Sequence, residues 1–80
     1  MSDILMPRMT DTMETGLLVT WFVKVGDYVK SGDIIAEIET DKAVMDLEVW
    51  ESGYITYIGI EEGKRIPINS IIAKIENNVR

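Results

Sequence analysis

The chain has no cysteine and no histidine. Disulfide staples, thiolate or imidazole metal sites, Cys or His nucleophiles and the usual near-neutral acid/base group are thereby excluded. Basic residues are scarce as well: 8 Lys and Arg against 14 Asp and Glu leave a net charge of -6. That is the wrong balance for a nucleic-acid binder, whose affinity comes from clustered Lys and Arg neutralising phosphates. No apolar run approaches the roughly eighteen residues a membrane span needs, and the opening residues Met1 to Pro7 carry no basic segment leading into an apolar one. The expectation is a cytoplasmic, bacterial protein without a membrane partner; a mitochondrial-matrix location requires a transit peptide already removed. Eighty residues suffice for one compact core but hardly for a deep catalytic cleft besides. Residues 1–80 therefore read as a single domain that is not an enzyme by itself, with carboxylates, lysines and a few hydroxyls as its only chemistry.

What is present favours strands. There are 12 Ile, 7 Val and 6 Thr against 3 Ala and 4 Leu, a bias toward side chains branched at Cβ, which pack well on pleated surfaces. Alternation places Ile34, Ala36 and Ile38 on one face with Glu37 and Glu39 on the other; Ile71, Ala73 and Ile75 repeat the pattern, with Lys74 and Glu76 outside. Glycines punctuate the chain into short segments joined by turns. Gly26 and Gly53 are expected at turns with positive φ. Trp21, Met45 and Leu47 are expected in the core, and Trp50 either caps the core or lies partly exposed.

The chain also repeats itself. Residues 16–39 align without gaps on residues 53–76, and seven of the 24 pairs are identical: Gly16/Gly53, Gly26/Gly63, Ile34/Ile71, Ile35/Ile72, Ala36/Ala73, Ile38/Ile75 and Glu39/Glu76. Neither half can bury its apolar face alone. The predicted fold is all-β, a flattened antiparallel barrel or sandwich of two similar halves related by a pseudo-two-fold axis. At the offset of 37, Lys42 falls opposite positions 5 and 79, close to the chain ends. A hairpin at Asp41-Lys42 then projects from one end of the molecule, with the two chain ends at the other.

Taken alone, Lys42 between alternating segments is an ordinary solvated turn with Asp41 as turn former. Together with their surroundings, however, these residues carry a resemblance. Glu39-Thr40-Asp41-Lys42-Ala43, following Gly32-Asp33-Ile34-Ile35-Ala36-Glu37-Ile38, resembles the lipoyl-lysine hairpin of the lipoyl domains in 2-oxo acid dehydrogenase complexes. Met6-Pro7, Thr12-Met13, Gly16, Trp21, Gly26-Asp27 and Gly53 extend the match over nearly the whole chain, most like the acetyltransferase (E2) type of the pyruvate dehydrogenase complex. Thr15 departs from the pattern, where relatives of this type carry glutamate. The sister family of biotinyl domains shares this barrel-sandwich hybrid fold but flanks its lysine with methionines, where this chain has Asp41 and Ala43. A biotin carrier of a carboxylase is therefore the alternative, and a cofactor-free β-barrel interaction module a second.

The resemblance implies a swinging-arm carrier. Lipoate would be joined by an amide to Lys42, with Asp41 and Ala43 presenting the hairpin and a lipoate-protein ligase or lipoyl transferase supplying the activation. The arm would reach about 15 Å, at roughly 1.25 Å for each of about twelve bonds. Its partners would be a thiamine-diphosphate 2-oxo acid decarboxylase (E1), which acylates the arm, an acyltransferase core, which passes the acyl group to coenzyme A, and dihydrolipoamide dehydrogenase (E3), which reoxidises the arm. Residues 1–80 would form the first part of a longer chain. Glu39, Thr40, Asp46 and Glu48 around the tip, and Thr10, Asp11, Thr12, Met13 and Glu14 in a loop beside it, are the candidates for partner recognition. No metal site and no catalytic residue are expected.

Overall fold

A computed structural model describes residues 2–77 as eight strands without a helix. They are β1 (Ser2–Leu5), β2 (Thr15–Trp21), β3 (Tyr28–Val29), β4 (Ile34–Glu39), β5 (Val44–Glu48), β6 (Gly53–Ile58), β7 (Arg65–Pro67) and β8 (Ile71–Glu76). Two four-stranded sheets, ordered β1-β8-β6-β3 and β5-β4-β2-β7, are antiparallel throughout. They face each other as a sandwich rather than closing into a barrel. Between them lie Ile4, Leu18, Ile35, Ile38, Ile55, Ile72 and Ile75, each at most 1% exposed. Removing such side chains from water contributes about 1.5–3 kcal/mol apiece and is the main driving force for joining the halves.

The repeat in the sequence is a repeat in space. β2, β3 and β4 correspond to β6, β7 and β8, and β5 corresponds to β1. The positive-φ residues form two pairs at the repeat offset, Gly26 (φ 99°) with Gly63 (φ 88°) and Gly32 (φ 96°) with Asn69 (φ 72°). Hydrogen bonds repeat too: Gly26 N–H donates to Ile55 O as Gly63 N–H does to Leu18 O, and Phe22 N–H to Ile35 O as Gly59 N–H to Ile72 O. Both sheets even bulge at the same place. Opposite β5, the register of β4 skips Ile35; opposite β1, that of β8 skips Ile72. Two residues against one turn the extra side chain inward.

That bulge corrects the simple alternation. Ile35 and Ala36 are both buried, as are Ile72 and Ala73, whereas Ile34 is only half-buried and Ile71 is 45% exposed. Met45 is likewise not core: at the tip end of edge strand β5 it is 37% exposed, while Leu47, deeper along the strand, is buried and Trp21 packs partly buried against the core. Gly53 does not have positive φ. It starts β6 where a Cβ would stand 2.6 Å from the Glu76 carbonyl oxygen, so close approach of backbones, not a turn conformation, requires glycine there.

The symmetry fails at one connection. Strand registers match Met45 with Ser2, Leu47 with Ile4 and Glu48 with Leu5, so Leu5 is the counterpart of Glu48, not of Lys42; Val79, the other expected counterpart, lies outside the described residues. Next along, Val49 and Met6 are both buried and equivalently bonded, to Asp33 O and Ser70 O. After them residues 50–52 lead to β6, but residues 7–15 lead to Gly16. The second path is six residues longer.

The molecule measures 40 × 21 × 19 Å. β4 runs from the Asp33 turn toward the hairpin at 40–43. The start of that path belongs to the other end of the molecule, where Ser31 N–H donates to Ser52 Oγ (3.1 Å) and the neighbouring Gly53 touches Glu76. Ser2, opposite Ile75, and Glu76 therefore sit away from the hairpin.

Candidate functional site: the Lys42 hairpin

The hairpin joining β4 to β5 is tied by one side chain. Thr40, 8% exposed, is the only buried polar residue described. Its N–H donates to Ala43 O (2.8 Å), its hydroxyl donates to the same carbonyl (2.7 Å), and Oγ1 accepts from Lys42 N–H (3.1 Å) and Ala43 N–H (3.0 Å). A threonine side chain substituting for backbone partners is a known way to close a tight turn. Thr40, a candidate for partner recognition, is therefore engaged inside the turn. Asp41, Lys42, Ala43 and Val44 are all exposed. Lys42 has no carboxylate within ion-pair reach, since the one ion pair among the described residues joins Lys74 to Asp3 at 3.9 Å on the other sheet.

Asp41 is held from outside the hairpin. Thr10 donates its hydroxyl to Oδ1 (2.6 Å) and Thr12 donates to Oδ2, 31 and 29 residues away in sequence. The Thr10 hydroxyl, then the Thr12 hydroxyl, hold the Asp41 carboxyl below the usual aspartate range; desolvation opposes them, and the neighbouring Lys42 charge adds a smaller lowering effect. The loop supplying these hydroxyls is the long connection at 7–15. It is anchored by Met13, another of the recognition candidates, which at 1% exposure packs in the core with its Cε near Gly16. Arg8 donates Nη1 to Met13 O (2.8 Å) and Asp11 O (3.3 Å), and Ile68 N–H donates to Glu14 O (3.0 Å). Asp11 and Glu14 point to solvent.

These features find their match among known proteins. The family model of biotin/lipoyl domains, described as "biotin-requiring enzyme", matches residues 2–75. A solved lipoyl domain of the 2-oxoglutarate dehydrogenase complex from Azotobacter vinelandii is 32% identical, covers 95% of this chain and 98% of its own, and superposes with a TM-score of 0.77. The chain belongs to the lipoyl domains. Among curated relatives, the dihydrolipoyllysine-residue acetyltransferase components of the pyruvate dehydrogenase complex from Rhizobium meliloti and from yeast mitochondria are 49% and 51% identical over 72 and 69 residues, 89% and 85% of this chain. The lipoyl domain spans only 16% and 14% of those relatives' length.

Around its hairpin the lipoyl domain is acidic. Alternation puts Glu37 and Glu39 of β4 and Asp46 and Glu48 of β5 on the outer face of their sheet, with Glu37 directly opposite Asp46. Glu37 was not among the sequence candidates, although its place between inward-facing Ala36 and Ile38 signals it. Like charges paired across strands cost stability. Trp50 is 61% exposed, and its carbonyl accepts from Ser31 Oγ (3.2 Å) at the end of the molecule away from the hairpin.

Proposed function

We propose that this lipoyl domain carries lipoate on the Lys42 amine and acts as the non-catalytic swinging arm of a longer dihydrolipoyl acyltransferase chain. The observation that carries the reading is an exposed lysine, in no ion pair among the described residues, at the tip of a hairpin fixed both by Thr40 and by the Asp41 contacts. The residues present fit the group: an amide at this nitrogen breaks no ion pair among the described residues, and the hydroxyls of Thr10 and Thr12, which act on Asp41 more strongly than the Lys42 charge, remain. When bound, lipoate supplies a dithiolane able to take up an acyl group and to cycle between oxidised and reduced forms.

The chain's own part is presentation. Thr40 sets the direction in which Lys42 leaves the turn, and the methylene stem of Lys42 gives reach. The carboxylates of Glu37, Glu39, Asp46 and Glu48 favour encounter with a basic channel mouth, which raises on-rate more than affinity. Tethering provides high effective concentration, and weak docking keeps release fast. The relatives support a pyruvate-type complex, with a thiamine-diphosphate decarboxylase, an acyltransferase core, dihydrolipoamide dehydrogenase and a lipoate ligase as partners. Asp41 and Ala43 beside the lysine, and the names of the relatives, favour lipoate over biotin.

Intact mass after incubation with lipoate, ATP and a lipoate-protein ligase tests this. The expected result is one lipoyl adduct in the wild-type chain and none in Lys42→Arg. An unmodified wild-type chain, or an adduct that survives the substitution, would overturn it.

A further inference from the structure

We propose that Thr10 and Thr12 are positioning residues for Lys42, acting through the Asp41 carboxylate to hold the hairpin in the orientation that a partner active site accepts. The inference rests on Lys42 being the acceptor, and it divides the loop at 7–15 into hydroxyls that work inward and carboxylates, Asp11 and Glu14, that face outward.

Three observations carry it. First, the pseudo-two-fold scaffold is broken by one extra segment of six residues, and that segment reaches the functional hairpin. The equivalent connection at 50–52 makes the fold without it, so the added length is not needed for closing the sandwich. Second, the contacts are directed: both carboxylate oxygens of Asp41 are engaged, each by a different threonine, which fixes the plane of the carboxylate and through it the backbone next to Lys42. Third, the segment is itself held firm. Met13 enters the core, Arg8 bridges two carbonyls of the loop, and Met13 N–H donates to Thr10 O (3.4 Å). A continuous set of contacts thus runs from the core through Met13 and the two threonines to Asp41 and the lysine.

Exposed hydrogen bonds of this sort add little to global stability, because water competes for the same groups. Their effect is orientation. A lysine whose backbone is held in one orientation starts its flexible stem from a fixed point, which narrows the search for the amine during the encounter, a cost that falls on the step after binding. A partner that touched the two hydroxyls directly would instead register their loss as weaker binding.

The test compares Thr10→Val/Thr12→Val with Thr10→Ser/Thr12→Ser and Asp41→Asn in the full 80-residue chain, using ligase-catalysed lipoylation of Lys42. The valine pair is expected to lower kcat about tenfold with KM little changed, and the serine pair, which keeps both hydroxyls, to restore it. In the valine pair the Asp41 carboxyl, followed by its carbon-13 shift, should titrate higher than in wild type; in the serine pair it should not. Adding Asp41→Asn to the valine pair should cause no further loss, because both changes cut the same link. Unchanged kinetics in the valine pair, a loss confined to KM, failure of serine to rescue, or additive losses with Asp41→Asn would each overturn the proposal. If the valine pair does not fold, Asp41→Asn and the serine pair still decide: wild-type kcat in Asp41→Asn refutes the link. Failure of wild type to accept lipoate at Lys42 would strike the functional reading instead, and is distinguished by the Lys42→Arg control.

Discussion

The half of the molecule that carries Lys42 and the half that does not share strands, bulges, turns and backbone hydrogen bonds, yet they present different surfaces. Outside the β5-β4-β2-β7 sheet, Glu37, Glu39, Asp46 and Glu48 border an exposed hairpin. Outside the β1-β8-β6-β3 sheet, Tyr28 and Tyr54 meet edge-on at 5.0 Å and Lys74 lies 5.8 Å from the Tyr57 ring. Common burial demands keep the interiors alike, whereas nothing in the packing obliges the exteriors or the 7–15 connection to match. Departures from symmetry are thus a guide to what the domain does, and agreement with symmetry a guide to what keeps it folded.

The sharpest way to separate the halves energetically is through the paired glycines. A Cβ on Gly53 meets the Glu76 carbonyl oxygen at 2.6 Å, an obstacle that is backbone; on Gly16 it meets Met6 Sδ at 2.6 Å and Met13 Cε at 2.8 Å, the ends of flexible side chains. Gly53→Ala is therefore expected to cost about 3 kcal/mol and Gly16→Ala about 1 kcal/mol in urea denaturation, the two ends of the range for overpacking. Equal costs would show that the two sites yield alike.

A smaller effect distinguishes two carboxylates at opposite ends of β2. Glu62 accepts from Trp21 N–H (2.9 Å) and Thr20 Oγ1 (3.0 Å), and these bonds hold it below the usual glutamate range, as Thr10 and Thr12 hold Asp41. Because the folded-state values are depressed, both interactions stabilise the fold fully above the unfolded carboxylate values, near 4, and are lost as pH falls through the lower folded values. Asp41→Asn and Glu62→Gln should each flatten the acid limb of a stability-against-pH curve, and together more than either alone. An unchanged limb in both would contradict the assigned bonds. Smallest of all, added salt should slow reductive acylation through apparent KM rather than kcat, since steering by exposed carboxylates is screened; salt-independent KM would remove the steering role.

Much of the fold was legible in the sequence because burial repeats with the chain. The offset between Gly16 and Gly53 and between Ile38 and Ile75 carried over directly into paired strands and turns. Ile35 and Ile72 were not legible as core, because alternation assumes an unbroken ladder and a bulge changes its phase. Gly53 was recognised as necessary for the wrong reason, since a close approach to Glu76 has no local signature. At the site, local pattern gave only an ordinary solvated turn at Lys42; the repeat pointed to a projecting hairpin, and the family resemblance singled out the lysine and placed the loop at 7–15 beside it. The inward direction of Met13, Thr10 and Thr12 did not, because it depends on contacts across about thirty residues of chain that only the assembled sandwich creates.

The pairing of β1 with β8 sets Ser2 opposite Ile75, and β8 also holds β6 on its other side. Contacts so distant along the chain form slowly, whereas a local β-hairpin such as β4-β5 closes in about 1–10 μs. During synthesis the lysine turn can thus take shape early, while Ile4 and Ile55 wait for the last strand to cover them.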